Sequence, residues 1–257
     1  MDLSTFLGLI IAAAGLLGGL ILEGGNIFQI LKPTAAMIVL GGTIGAVMVS
    51  FPLSTFLAAL KGFIQVFFPK APKPGPLIEQ MIEFAKKARK DGIISLEGDA
   101  KNIKEPFLQK ALMMAIDGAD PKELRETLEL QLHYMDEHES VIPKVWEGAG
   151  GFAPTIGIIG AVMGLIQVMQ HLDNIEEVGH GIATAFVATI YGVGFSNILF
   201  LPSAGKLALL HKKEMVLREM IVDGIILIIE GVNPKVMKDK LMGFIAEKIE
   251  DKGEEKK

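Results

Sequence analysis

Arg89 and Glu97 stand at either end of the stretch RKDGIISLE, two opposite charges separated by a helix-ending glycine at Gly92. Charges on such a turn either contact another protein or simply face water, and their spacing does not choose between the two. The other polar candidates, Thr155, Gln167, Thr184, Thr189, Tyr191, Ser196 and Asn197, lie in long apolar windows. Hydroxyls and amides in such windows bond the preceding backbone turn or a neighbouring helix. An ion carrier acting by itself needs an ionisable group near mid-bilayer, and these windows hold no Asp, Glu, Lys or Arg. His133, His138, His171, His180 and His211 are scattered without metal-ligand spacing, and the chain has no cysteine for a disulfide, a thiolate site or a nucleophile. With no nucleotide-binding loop either, the expectation is no enzyme, no metal and no cofactor.

The elements that must position these residues are helices long enough to cross a bilayer. Half of the 257 residues are apolar and the mean hydropathy is +0.43, which fits a membrane protein with an extramembrane part. Four windows reach the roughly 20 residues that a hydrocarbon core requires: Leu3 to Leu22, Pro33 to Phe51, Gly150 to Met169, and Val178 to Leu201. No segment alternates as a strand would. The fold class is therefore all-α, a polytopic membrane protein with four transmembrane helices and a helical cytoplasmic domain. Asp2 stands where a secretory signal carries basic residues, so a cleaved signal is not expected. A net charge of −5 gives no reason to invoke nucleic acid.

Lys32 is the one basic residue outside 61–144 and 206–257. The positive-inside rule counts Lys and Arg near the ends of spans, here Lys61, Lys70, Lys73, Lys206, Lys212 and Lys213, and so puts both termini and the large middle segment in the cytoplasm. The division that follows is 1–60 for the first two spans and their short external loop, 61–148 for a cytoplasmic helical domain, 149–203 for the last two spans, and 204–257 for cytoplasmic helices and a frayed tail. Within the middle segment, FPLSTFLAALKGFIQVFF reads as an interfacial or continued helix. Further helices end at Gly92 and Gly118 or start with Asp120 as N-cap and Pro121 at the first helical position. GIILIIEG, near 225, is too short to span and should pack on the other cytoplasmic helices.

Gly160 and Gly164, and likewise Gly192 and Ser196, form small-xxx-small pairs that let helix backbones approach closely. The third and fourth spans are thus expected to offer narrow, smooth faces to another helix. Pro154 removes a backbone donor near the start of the third span, as a tolerated first-turn proline or as a hinge.

The motifs RKDGIISLE, DGADPKELRETLE, APTIGIIGAVMGLI, ATAFVATIYGVGFSNILFLP and EGVNPKVMKDKLMGFI, in a chain with two spans, a large segment and two spans, resemble the MotA/PomA family of flagellar motor stator proteins. The resemblance implies a homo-oligomeric ring, a pentamer, in the inner membrane. It would surround a MotB dimer whose helix supplies the ion-binding aspartate missing here, with the third and fourth spans facing it. Arg89 and Glu97 match the charged pair that engages the rotor protein FliG, Pro154 and Pro202 the prolines linked to conformational coupling, and Thr189 the hydroxyl near the ion-binding aspartate. Sodium-driven relatives carry threonine where this chain has Ala161 and Ala188, so the resemblance implies protons as the translocated ion.

Two other readings compete. An ExbB or TolQ type energiser of outer-membrane processes usually has three spans with its large segment after the first. A structural scaffold would use the small-residue helices for assembly without conducting ions.

Overall fold

A computed structural model describes residues 2–69 and 73–250, with backbone alone for 246–250. Lys70 and the tail from 251, which entered the charge-based reading, lie outside the described residues. Helices and turns make up the described residues, with no strand among them. In chain order they are α1 (Leu3–Leu22), α2 (Ile27–Ile30), α3 (Pro33–Ser50), α4 (Leu53–Phe67), α5 (Pro74–Asp91), a 3-10 turn (Ile93–Leu96), α6 (Glu97–Ala100), α7 (Pro106–Ile116), α8 (Pro121–Glu139), α9 (Val141–Gln170), α10 (Ile175–Gly194), a π-helical segment (Phe195–Phe200), α11 (Leu201–Ile229) and α12 (Pro234–Glu250). Four helical stretches are long and apolar enough to cross a membrane.

Local chemistry sets most of these ends. Asp2 caps α1, its carboxylate accepting the Thr5 N–H at 3.1 Å. Phe51 precedes Pro52, a position that disfavours helix, and its extended backbone separates α3 from α4, so the apolar stretch is a distinct helix rather than a continuation. Gly92 and Gly118 take φ of 82° and 86° after α5 and α7. Asp120 accepts from the Lys122 and Glu123 N–H groups at 2.9 and 3.4 Å, with Pro121 opening α8.

The third span departs from its sequence reading. Its helix starts at Val141 rather than Gly150 and runs through Lys144 and Glu147, because charged side chains end an apolar window without ending a helix. Pro154 therefore lies inside α9 and is not a first-turn proline.

The chain forms two compact units. The first takes the described residues up to Pro69 and Ser140–Leu210; the second takes Lys73 to Glu139 and those from His211 onward. In the second, α5, α7, α8, α11 and α12 enclose Met81, Leu108, Leu112, Leu128, Ile221, Ile225, Met237 and Leu241. Burying each such side chain is worth about 1.5–3 kcal/mol. The stretch GIILIIEG, too short to span, lies in this core. In the first unit α4 packs on the start of α9, where the Trp146 indole donates to the Ala59 carbonyl at 3.2 Å and stacks near Phe63. By contrast α1 has no fully buried residue.

Candidate functional site

The third and fourth spans meet along a seam of small residues. A Cβ added at Gly192 would stand 2.5 Å from the Ala153 carbonyl and 3.0 Å from the Gly157 Cα, both backbone atoms. At Gly164 it would meet the Gly181 carbonyl at 2.9 Å, and at Gly160 the Ala188 Cβ at 2.9 Å. The small-residue faces are thus spent on each other within one chain. Any further helix must approach other faces of α9 and α10, where Ile158, Ile159, Val162, Phe186 and Ile190 are exposed.

Pro154 sits on this seam, its Cα 3.2 Å from the position of a Gly192 Cβ. Lacking an N–H, it leaves the carbonyl four residues back, that of Gly150, without its helical donor. Ser196 supplies the replacement: its hydroxyl, 1% exposed, donates to the Gly150 carbonyl at 2.6 Å. One hydroxyl on the fourth span thereby satisfies the acceptor that a proline on the third span frees. Sequence reasoning assigned Ser196 to close packing and missed this bond, although a proline with a buried hydroxyl in the next span was a usable signal.

Ser196 belongs to the π-helical segment, in which the Leu201 N–H donates to the Ser196 carbonyl. Pro202 follows directly. In an unbroken α-helix its ring would press on the carbonyl of Ile198, and a π turn just before it widens the helix there. Pro202 itself is exposed.

Thr189 is half-buried, and its hydroxyl donates to the Ala185 carbonyl at 3.3 Å, so its oxygen keeps acceptor capacity. Ala161 is half-buried. Ala188 is 0% exposed and directed at Gly160, in a cluster with Ala35 and Val39 of α3. Of the remaining polar side chains, Thr155, Thr184 and Asn197 bond their own preceding turns, and the Tyr191 hydroxyl ties the fourth span to the Ile30 carbonyl at 2.6 Å.

Arg89 and Glu97 lie in the other unit, and both are exposed. Arg89 lies in the last turn of α5, where a cation suits the helix dipole, and Glu97 opens α6, where an anion does. Glu97 pairs with Lys101 at 3.2 Å, while Arg89 has no ion pair among the described residues. A bridge from Lys87 to Asp99 at 2.7 Å ties the two helices together, a contact the spacing did not reveal.

Comparison with known proteins joins these two places in one kind of molecule. A family model described as Motility protein A N-terminal matches residues 6–92, and the MotA/TolQ/ExbB proton channel family model matches residues 99–220. Motility protein A of Helicobacter pylori is 38% identical over 246 residues, covering 96% of this chain and 96% of that protein. The chain belongs to the MotA/PomA family. The structure of C. jejuni MotAB agrees with a TM-score of 0.90 at 35% identity, over 95% of this chain and 96% of that one. The flagellar MotAB stator complex of Bacillus subtilis gives 0.85 at 33% identity, over 94% and 95%.

Membership in the MotA/PomA family, with four apolar helices, makes this a multi-pass inner-membrane protein. The Motility protein A match across the first two spans separates it from an ExbB or TolQ type energiser. One further contact bears on how a MotA/PomA-family chain sits in its membrane. Lys206 of α11 bonds both the Asp2 carboxylate and the Thr5 hydroxyl, and the Asp2 N–H donates to the Phe67 carbonyl at 2.9 Å. Lys206 first, then the Thr5 and Ser4 hydroxyls, holds the Asp2 carboxyl well below the usual carboxylate range. A depressed value means the contact is in place at neutral pH and is lost only as pH falls through that low value.

Proposed function

We propose that this chain is the ring-forming subunit of a flagellar stator: with MotB it conducts protons and converts their flow into torque on the rotor protein FliG. The observation that carries the reading is family membership over nearly the whole chain together with apolar windows, 3–22, 33–51, 150–169 and 178–201, that hold no carboxylate of their own. A motor part built this way needs a partner to bring the titrating group. A pentameric ring around a MotB dimer supplies it, with α9 and α10 facing the MotB helix and Thr189 offering an oxygen beside the MotB aspartate. Pro154 and Pro202 serve conformational coupling, and Gly160, Gly164, Gly192 and Ser196 keep the two spans packed as one piece.

Both termini lie in the cytoplasm in this reading. The basic segments support that, and so does the bond from Asp2 to Lys206, which holds the start of α1 beside the end of the fourth span. A cysteine at Asn174 should react with an impermeant thiol reagent added outside, and one at Asp120 or Lys257 only after lysis. Labelling of all three from the same side would overturn the topology.

Arg89 and Glu97 engage FliG electrostatically. Reversing either charge should cut torque while ring assembly and ion conduction persist, because exposed charges are worth at most about 1 kcal/mol of stability. A complementary reversal in FliG should restore part of the motility. Loss of assembly in Arg89→Glu or Glu97→Lys would instead make these residues structural.

A further inference from the structure

Between Arg89 and Glu97 one side chain serves neither fold nor charge. Ile94 lies on the 3-10 turn with 70% of its surface exposed. From Pro74 to Glu129 it is, among the described residues, the one large apolar side chain that stands in solvent. Its neighbours on the same turn go the other way: Leu96 is buried in the core and Ile93 packs against it.

The turn is built to hold that tip in place. Gly92 enters it at φ 82°, a conformation that L side chains rarely adopt. The Ser95 N–H and hydroxyl both donate to the Gly92 carbonyl, at 3.2 and 2.6 Å. Lys87 bridges to Asp99 at 2.7 Å, and the Gln109 amide reaches the Ala100 carbonyl at 3.1 Å. Ile94 is thus displayed from a braced spur, with an exposed cation before it in the chain and an exposed anion after it.

We propose that Ile94 is the apolar anchor of the rotor contact, seated in a small apolar recess of the rotor protein whose rim carries charges opposite to Arg89 and Glu97. This rests on the rotor-contact reading of those two residues. Protein contacts gather binding energy in a desolvated apolar centre, while charges at the rim steer approach and fix register. Two exposed charges of opposite sign define a register, but salt screens them. An isoleucine between them contributes a contact that salt does not weaken.

The test uses the full chain assembled with MotB, measuring binding to purified rotor protein alongside motility for Ile94→Ser, Ile94→Val, Arg89→Glu and Glu97→Lys. Ile94→Ser should weaken binding about 30-fold, the scale of an interface hot spot, and reduce torque. Its membrane level, assembly and ion flux should match the unaltered chain, Ile94→Val should retain binding, and the Ile94→Ser deficit should persist at high salt. Unchanged binding in Ile94→Ser beside weakened charge reversals refutes the anchor and leaves the charged contact standing. Unchanged binding in all four variants refutes both. Loss of assembly in Ile94→Ser makes the residue structural and also refutes the anchor.

Discussion

Gly192→Ala is expected to abolish motility and to lower the amount of folded protein in the membrane. The added methyl would stand 2.5 Å from the Ala153 carbonyl, 3.0 Å from the Gly157 Cα and 3.2 Å from the Pro154 Cα. These are backbone atoms of the facing helix, so no rotamer change relieves the contact and the two spans must separate. Overpacking typically costs about 1–3 kcal/mol, and a clash with backbone falls at the upper end. Gly194, two residues along, has nothing within 4 Å of an added Cβ. Gly194→Ala should therefore melt in detergent at or above the temperature of the unaltered chain, while Gly192→Ala melts lower. Ser196→Ala should fall between them, since it strands the Gly150 carbonyl at a cost of about 1–3 kcal/mol without forcing the helices apart. Equal melting of Gly192→Ala and Gly194→Ala would show that the seam is not a close contact.

Removing sodium at fixed pH and membrane potential should leave torque unchanged, and a protonophore should abolish it. A proton joins a carboxylate covalently and the neutral acid then needs only ordinary hydrogen bonds, whereas sodium stays a cation and must have several oxygens in place of its lost water. In the proposed arrangement around a MotB aspartate, this chain would offer the Thr189 hydroxyl and backbone carbonyls, with methyl groups at Ala161 and Ala188. The seam separates the roles of the two alanines. Ala188 is fully enclosed against Gly160, so Ala188→Thr should disturb packing before it supplies an oxygen to any ion. Ala161 is half-buried, so Ala161→Thr tests ion coordination with less damage to packing. Torque that follows sodium in the unaltered chain would overturn the proton reading.

Much of this fold is legible one element at a time. The first span is Leu3 to Leu22 in both sequence and structure, and Gly92, Gly118, Asp120 and Pro121 mark their helix ends, because caps and apolar windows depend on residues a few positions apart. The small-xxx-small pairs likewise announce a close approach. What they do not announce is the partner: a glycine stripe fits any smooth helix, and only the tertiary structure directs Gly157, Gly160 and Gly164 against Gly181, Ala188 and Gly192 of the same chain. The start of α9 at Val141 was hidden because Lys144 and Glu147 close an apolar window while the backbone continues unbroken. The site divides in the same way. Sequence placed Arg89 and Glu97 about a glycine turn, but not the Lys87 to Asp99 bridge that ties their helices together, nor the exposure of Ile94 beside a buried Leu96. The Ser196 hydroxyl reaches the Gly150 carbonyl across 46 residues of chain, replacing a donor that Pro154 lacks. Periodicity and capping are local and can be read along the chain, whereas satisfying a stranded carbonyl depends on which atoms come within about 3 Å, a distance set only when helices pack.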